Sequence, residues 1–313
     1  MSLFSDCCRF ARRIPGLAAK GVRHPGHVLR SILFKTAGLL FPDRLLVPRL
    51  AHSKARMWVT PRDPGLSQQL YVWGWREPVE TACVQSSVSA GQVVVDIGAN
   101  LGFYVLIEAE LVGNTGRILA IEPSASNVAL LAKNVNENGY DDRVTIVEGA
   151  VSNATGSGTL FLTRHFNLNS MNAGRLEKFT DIVGRSEVKT YRLDDLLSSQ
   201  GFELAKINFV RMDVEGHEVD VIRGMPALLE GAPELSILME VHPELIKDKY
   251  GDSGYLEMLA TLEAANMEIC EIGINFTCRE SRASSSHKTY QDLHDTEDVY
   301  SLFVRKRLSN CEL

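Results

Sequence analysis

No apolar run in this sequence reaches the roughly eighteen residues that a membrane-spanning helix requires. The longest candidate, Ile32 to Phe41, is interrupted by Lys35. The first residues also lack an apolar stretch followed by a small-residue cleavage site, so a secretory leader is not expected. The six cysteines (Cys7, Cys8, Cys83, Cys270, Cys278 and Cys311) form no C-x-x-C pair and have no histidine-rich partner spacing. That speaks against a zinc site; no metal is expected, and the scatter suits thiols in a reducing, cytoplasmic setting. The middle glycine of the dinucleotide fingerprint G-x-G-x-x-G is also missing, which argues against a bound pyrophosphate.

Charge is uneven along the chain. The 313 residues carry 33 basic and 39 acidic side chains, a net charge of −6. Residues 1–56 hold eleven Lys and Arg against Asp6 and Asp43, which leaves the remainder strongly acidic. A nucleic-acid binder keeps its basic patch on the folded face, so no nucleic-acid partner is expected. The basic leader reads as one or two short helices. It supports weak peripheral contact with anionic lipid, but Pro15, Gly16, Pro25 and Gly26 interrupt a long amphipathic stripe and favour a solvated or partner-covered extension.

What the sequence does contain is Asp96-Ile97-Gly98-Ala99-Asn100-Leu101-Gly102, directly after the apolar run Val93-Val94-Val95. A buried strand that ends in a carboxylate and a glycine turn, then opens a helix, presents bare backbone to a nucleoside. A second apolar run, Ile118 to Ile121, ends in Glu122, a carboxylate placed to take both hydroxyls of a ribose. Gly98 and Gly102 alone fit a helix-capping turn without a ligand equally well. Asp96 before them and Glu122 after the next strand tip the reading to a cofactor without phosphate. S-adenosyl-L-methionine fits, with its ammonium toward Asp96 and its ribose toward Glu122.

The rest of the chain alternates strand and helix, which predicts a doubly wound, mostly parallel α/β sheet. Residues 1–56 are expected to form a helical extension and 57–313 the main domain. Within that domain, 57–92 is an aromatic approach segment with a helix over Glu80 to Val88. Strands are expected at Val93 to Ile97, Arg117 to Glu122, Val144 to Glu148, Ile207 to Met212 and Leu235 to Glu240. A helix starts at Ser124 and stops at Gly139. An insertion, Gly156 to Arg192, supplies two further strands, Thr159 to Thr163 and Val188 to Leu193. Helices are expected over His217 to Leu229 and Ser253 to Ala265, and Met267 to Ile274 with Val299 to Arg305 as a closing antiparallel pair. The Ser-rich link 275–298 reads as a lid or a disordered surface loop.

Strand ends carry a second constellation: Asp213, Glu215 and His217 after one strand, Glu240 and His242 after the next. In open α/β sheets ligands lie beyond the carboxyl ends of the strands, so these groups should converge. Asp213 alone reads equally as a helix N-cap and Glu215 as a first-turn charge, but Glu240 and His242 cap nothing obvious.

The strings VVVDIGANLGFY, AIEP, RLDDLL, VRMDVEGHEVDVIRG and ILMEVH together resemble the FkbM family of class I methyltransferases, from about Tyr71 to about Ile274. The resemblance implies a Rossmann-like seven-stranded sheet with an antiparallel last strand. It also implies methyl transfer from S-adenosylmethionine to hydroxyl oxygens of sugars, glycoconjugates or polyketide-type small molecules. It places the methionine end of the cofactor at Asp96, Gly98 and Gly102, with Asn100 filling the turn, and the ribose at Glu122. The family's acidic motif falls on Asp213, Glu215 and Gly216, and its Asn/Ser-rich loop on Asn167 to Met171. Departures are Gly149-Ala150 where many relatives carry an adenine-binding Asp, His217 where the family usually has Ala, and the unmatched leader.

An alcohol becomes a nucleophile only as its proton leaves, so a carboxylate or imidazole within reach is needed. Asp213 or Glu215 is expected to orient the acceptor and Glu240 or His242 to take the proton. Metal assistance through Asp213, Glu240 and His242 is the less favoured version. Two rival classes remain, an NAD-type oxidoreductase on a similar sheet and a cofactor-binding protein without turnover.

Overall fold

The computed structural model describes residues 25–41, 43–51, 53–165, 168–172, 182–272, 278–279 and 299–307. Asn167, the leader before Pro25 and the 275–298 link apart from Cys278 and Arg279 lie outside them.

The chain enters through helix α1 (Pro25–Leu40), which opens on a proline, a residue suited to a first helical turn. Strands β1 (Leu45–Val47) and β2 (Met57–Val59) pair antiparallel, so the pairing crosses the expected boundary at residue 56. Helices α2 (Leu66–Trp73) and α3 (Pro78–Ser87) lead to β3 (Val93–Ile97), the strand that carries the glycine turn. Then come α4 (Phe103–Val112), β4 (Arg117–Glu122), α5 (Ala125–Glu137) and β5 (Val144–Glu148).

The insertion forms its own three-stranded sheet. β6 (Ala150–Val151) pairs parallel with β8 (Ile182–Tyr191), and β7 (Gly156–Thr163) pairs antiparallel with β8. The expected strand over Val188 to Leu193 stops at Tyr191, because Leu193 opens helix α6 (Leu193–Ser199). Within α6, the Asp194 carboxylate accepts from the amides of Ala227 and Leu228 at 2.9 and 3.0 Å. The RLDDLL string therefore satisfies the start of another helix.

After β9 (Ile207–Met212), the expected single helix is two, α7 (Glu218–Arg223) and α8 (Pro226–Gly231). Pro226 has no amide hydrogen to continue the first and is placed to start the second. β10 (Ser236–Val241) and α9 (Pro243–Ala264) follow, with a break in α9 at Gly251 that the sequence pattern did not disclose. β11 (Met267–Ile272), the two-residue β12 (Cys278–Arg279) and β13 (Tyr300–Lys306) close the chain.

The main sheet has the order β12-β11-β13-β10-β9-β3-β4-β5. β9, β3, β4, β5 and β10 run parallel, and β13 is antiparallel to both neighbours. Seven strands thus make the expected class I methyltransferase sheet, and β12 extends its edge. Side chains alternate between the two faces. Val94, Ile118 and Phe209 join α4, α5 and the entry segment, including Phe34, Leu45 and Met57. Val95, Leu119 and Val210 join the helices from α6 to α9. The strand order switches direction beside β3, and the carboxyl ends of β3, β4 and β9 open a crevice there.

Gly98 fixes how closely these ends approach. Its φ is +80°, and a Cβ there would lie 2.0 Å from the carbonyl oxygen of Asp213. Gly139, with φ +67°, has nothing within 4 Å of such a Cβ. Gly98→Ala should therefore cost at least about 3 kcal/mol in urea unfolding, and Gly139→Ala only about 1 kcal/mol. Equal losses would show that no close approach is present at Gly98.

Candidate active site

The crevice is a cleft of about 560 Å3 including its open mouth. Gly98, Asn100, Glu122, Asp213, Glu215 and His217 are in its wall, with Pro123, Ala150, Val151 and Leu160 as apolar lining. Glu122 is held firmly. One oxygen accepts from the Ser124 amide at 2.9 Å and the Asn127 side chain at 3.1 Å; the other accepts from the Asn100 amide at 2.8 Å. Burial outweighs these donors and pushes its pKa up to about 7. Asn100 adopts φ +51°, and its side chain accepts from the Leu101 amide at 2.8 Å, which stabilises the turn.

Asp96 is placed differently from expectation. It is fully buried and is not part of the cleft wall; one oxygen accepts from Arg211 at 3.1 Å. Arg211 also donates to Asp213 at 3.2 Å, and its guanidinium lies 4.0 Å from the Tyr104 ring centroid. The Tyr104 hydroxyl donates to Glu77 at 2.9 Å, Glu77 pairs with Arg76, and Arg76 lies 3.9 Å from Asp213. These groups close a ring. It leaves Asp213 Oδ1 buried without a hydrogen-bond partner among the described residues. Gly102 also lies behind the wall, where a Cβ would press on Leu131 at 2.6 Å.

Glu215 sits at φ +50°, a conformation that costs a non-glycine residue free energy and recurs at functional turns. The Ser170 hydroxyl donates to its carbonyl at 2.7 Å, tying the loop of Asn169 and Met171 to the acidic turn. His242 has both ring nitrogens facing carboxylates, Glu215 at 3.1 Å and Glu218 at 3.1 Å. Burial disfavours its proton, but the two carboxylates outweigh burial and hold the imidazole pKa well above its ordinary value. His242 therefore has no nitrogen open to accept a proton. That pairing disfavours His242 as the base.

His217 is the opposite case. Burial and neighbouring Lys249 push its pKa down to about 4 against the pull of Asp220, so it is neutral. Lys249 donates to its Nδ1 at 3.0 Å, and Nε2 lies 3.1 Å from the Ser152 hydroxyl. Glu240, half-buried at the end of β10, follows a residue in register with Met212 of β9 and so lies beside Asp213. Burial first, then the Asp213 charge, raises its pKa well above the carboxylate range.

Sequence reasoning missed Arg211, Arg76, Glu77, Tyr104, Glu218 and Asn127. Arg211 was open to detection, since a charge inside the apolar strand Ile207 to Met212 requires buried partners. A second, more open cleft of about 680 Å3 is lined by Leu66, Gln69, Arg76, Glu77, His165 and Leu168. It adjoins the first through the Arg76–Asp213 contact and the loop leading to Asn169.

The methyltransferase FkbM domain model matches residues 96–269, more than half of the sequence. The chain belongs to the FkbM methyltransferase family. That family is of the S-adenosylmethionine-dependent class of methyltransferases. A hexuronic acid methyltransferase, AglP, from Haloferax volcanii is 27% identical over 152 residues, 48% of this chain and 56% of that protein. The match thus spans little more than half of that relative. Among solved structures, methyltransferase FkbM from Methylobacillus flagellatus superposes with a TM-score of 0.41 at 14% identity, covering 88% of this chain and 59% of that one. A SAM-dependent O-methyltransferase from Thermotoga maritima gives 0.39 at 14% identity, covering 87% and 80%.

The residues present fit the cofactor of that class. The wall offers an anchored carboxylate at Glu122 and an unpartnered oxygen at Asp213, and it contains no Lys or Arg among the described residues. Arg211→Met should cost about 3–5 kcal/mol, because Asp96 and Asp213 keep their burial and lose their counter-ion. The deficit should narrow from about pH 8 to about pH 5 as buried Asp96, whose pKa burial already raises, takes up a proton; denaturant titrations at both pH values check it.

Proposed function

We propose that the chain transfers a methyl group from S-adenosylmethionine to a hydroxyl oxygen of a sugar or glycoconjugate acceptor. One observation carries this reading: three carboxylates, Glu122, Asp213 and Glu215, line the cleft without a single Lys or Arg among the described residues. Such a wall attracts a cation and repels the pyrophosphate of a dinucleotide, which disfavours the oxidoreductase alternative. Sugar acceptors are supported by the named activity of the Haloferax relative. The cytoplasmic location read from the cysteines stays part of this proposal.

When bound, the cofactor supplies an electrophilic methyl on a sulfonium. Glu122 accepts from ribose hydroxyls. Asp213, through its unpartnered oxygen, takes the ammonium end that Asp96 was expected to meet, while Asp96 holds Arg211 and so positions Asp213. Glu215, fixed by His242 and Ser170, orients the acceptor. Glu240, beside Asp213 at the end of β10, takes the hydroxyl proton in its ionised form. The second cleft, with Gln69, Arg76, Glu77 and His165, receives the acceptor.

Calorimetry with S-adenosylhomocysteine should show binding that strengthens by about tenfold from about pH 6 to about pH 8. The ionised form of Glu122 is the better acceptor of ribose hydroxyls, and its fraction grows through that range. Glu122→Gln should flatten the dependence. Thermal stabilisation by NADH in place of S-adenosylhomocysteine would overturn the reading.

Asp213→Asn and Glu215→Gln should weaken binding or turnover, read by transfer of labelled methyl into a glycan extract. Glu240→Gln should keep cofactor affinity and lower kcat by about a hundredfold or more. Full activity of the Asp213 and Glu215 variants would refute these assignments.

A further inference from the structure

We propose that the outward face of α1 is a docking surface for an anionic lipid bilayer. Val28, Leu29, Ile32, Leu33, Leu39 and Leu40 are all exposed, Leu39 at 83% and Leu40 at 77%. At 3.6 residues per turn they fall within one arc of about 140°. The opposite side is fastened down: Phe34 is buried at 2%, Ala37 packs on the core, and Gln68 of α2 donates to Ser31 at 3.0 Å. The apolar arc is therefore fixed outward by packing and is continued by exposed Phe41.

Charge selects the occupant. No acidic residue occurs between Pro25 and Phe41, and Arg30 and Lys35 flank the arc. The 24 residues before α1 add five Lys and Arg against the single Asp6. The rest of the chain is strongly acidic. An anionic surface thus attracts this end of the molecule and repels the others. A 16-residue helix is about 24 Å long and cannot span a bilayer, and no helix among the described residues is long and apolar enough to do so. An apolar stripe with basic borders instead lies in the plane of the headgroups. Trp73, 41% exposed and 3.9 Å from the His27 ring of α1, adds a side chain suited to that depth.

Sedimentation of the full chain with phosphatidylcholine vesicles, with and without phosphatidylglycerol, tests this without reference to catalysis. The chain should bind the anionic vesicles, lose binding on pure phosphatidylcholine and weaken with salt. The double variant Ile32→Glu, Leu40→Glu should bind at least about tenfold more weakly with an unchanged melting temperature. Leu39→Ser with Leu40→Ser gives the same test without added charge. Wild-type affinity in both variants would assign binding to residues 1–24 and overturn the proposal. So would a wild-type chain that ignores anionic vesicles, or a dimer in light scattering that the variants dissociate.

Discussion

A single guanidinium sets the geometry of the crevice. Arg211 reaches across from β9 to Asp96 on β3 and forward to Asp213 at its own strand end, at 3.1 and 3.2 Å. Removing three charges from water is costly, and mutual pairing offsets that cost only when the geometry is held. The holding comes from Tyr104 beneath the guanidinium and from the Glu77–Arg76 pair that returns to Asp213. Strand ends, α4 and the approach segment are thereby linked through one polar ring. Gly98 allows the backbone closeness that the ring requires.

The ring also divides labour among the acids. Arg211 takes one oxygen of Asp96 and one of Asp213, and the second oxygen of each is buried without a hydrogen-bond partner among the described residues; only Asp213 lines the cleft. Glu108, buried on α4 with neither oxygen bonded among the described residues, has its pKa pushed well above the carboxylate range, first by burial and then by Asp96. The acidic side chains converge at the cleft wall and at the end of β10. A cationic ligand would relieve that repulsion, so site formation and ligand preference have the same electrostatic origin.

The core was legible because its signals are local and repeated. Runs such as Val93 to Ile97 and Ile118 to Glu122 read as buried parallel strands whatever their neighbours. The carboxylates at strand ends were legible for the same reason. What failed depends on distant partners. β1 and β2 are three residues each and exist because they pair with one another and fill the first face of the sheet. Asp96 read as a ligand residue from its place before the glycine turn; its pairing with Arg211, 115 positions away, could not be read from that local pattern. His242 looked like a base until Glu218, from another helix, took its second nitrogen. The helix after β9 was misread for a local reason, since Pro226 marks its break in plain sight.

Helix α2 connects the two ends of the molecule. One side packs on α1, and its Leu66 and Gln69 line the second cleft beside Arg76 and Glu77. The face proposed for docking and the second cleft therefore share one short element. Arg30 of α1 donates to the carbonyl of Val72 at 3.3 Å, which couples them directly. If α1 docks as proposed, the charge asymmetry between residues 1–56 and the rest would orient the acidic body on that surface.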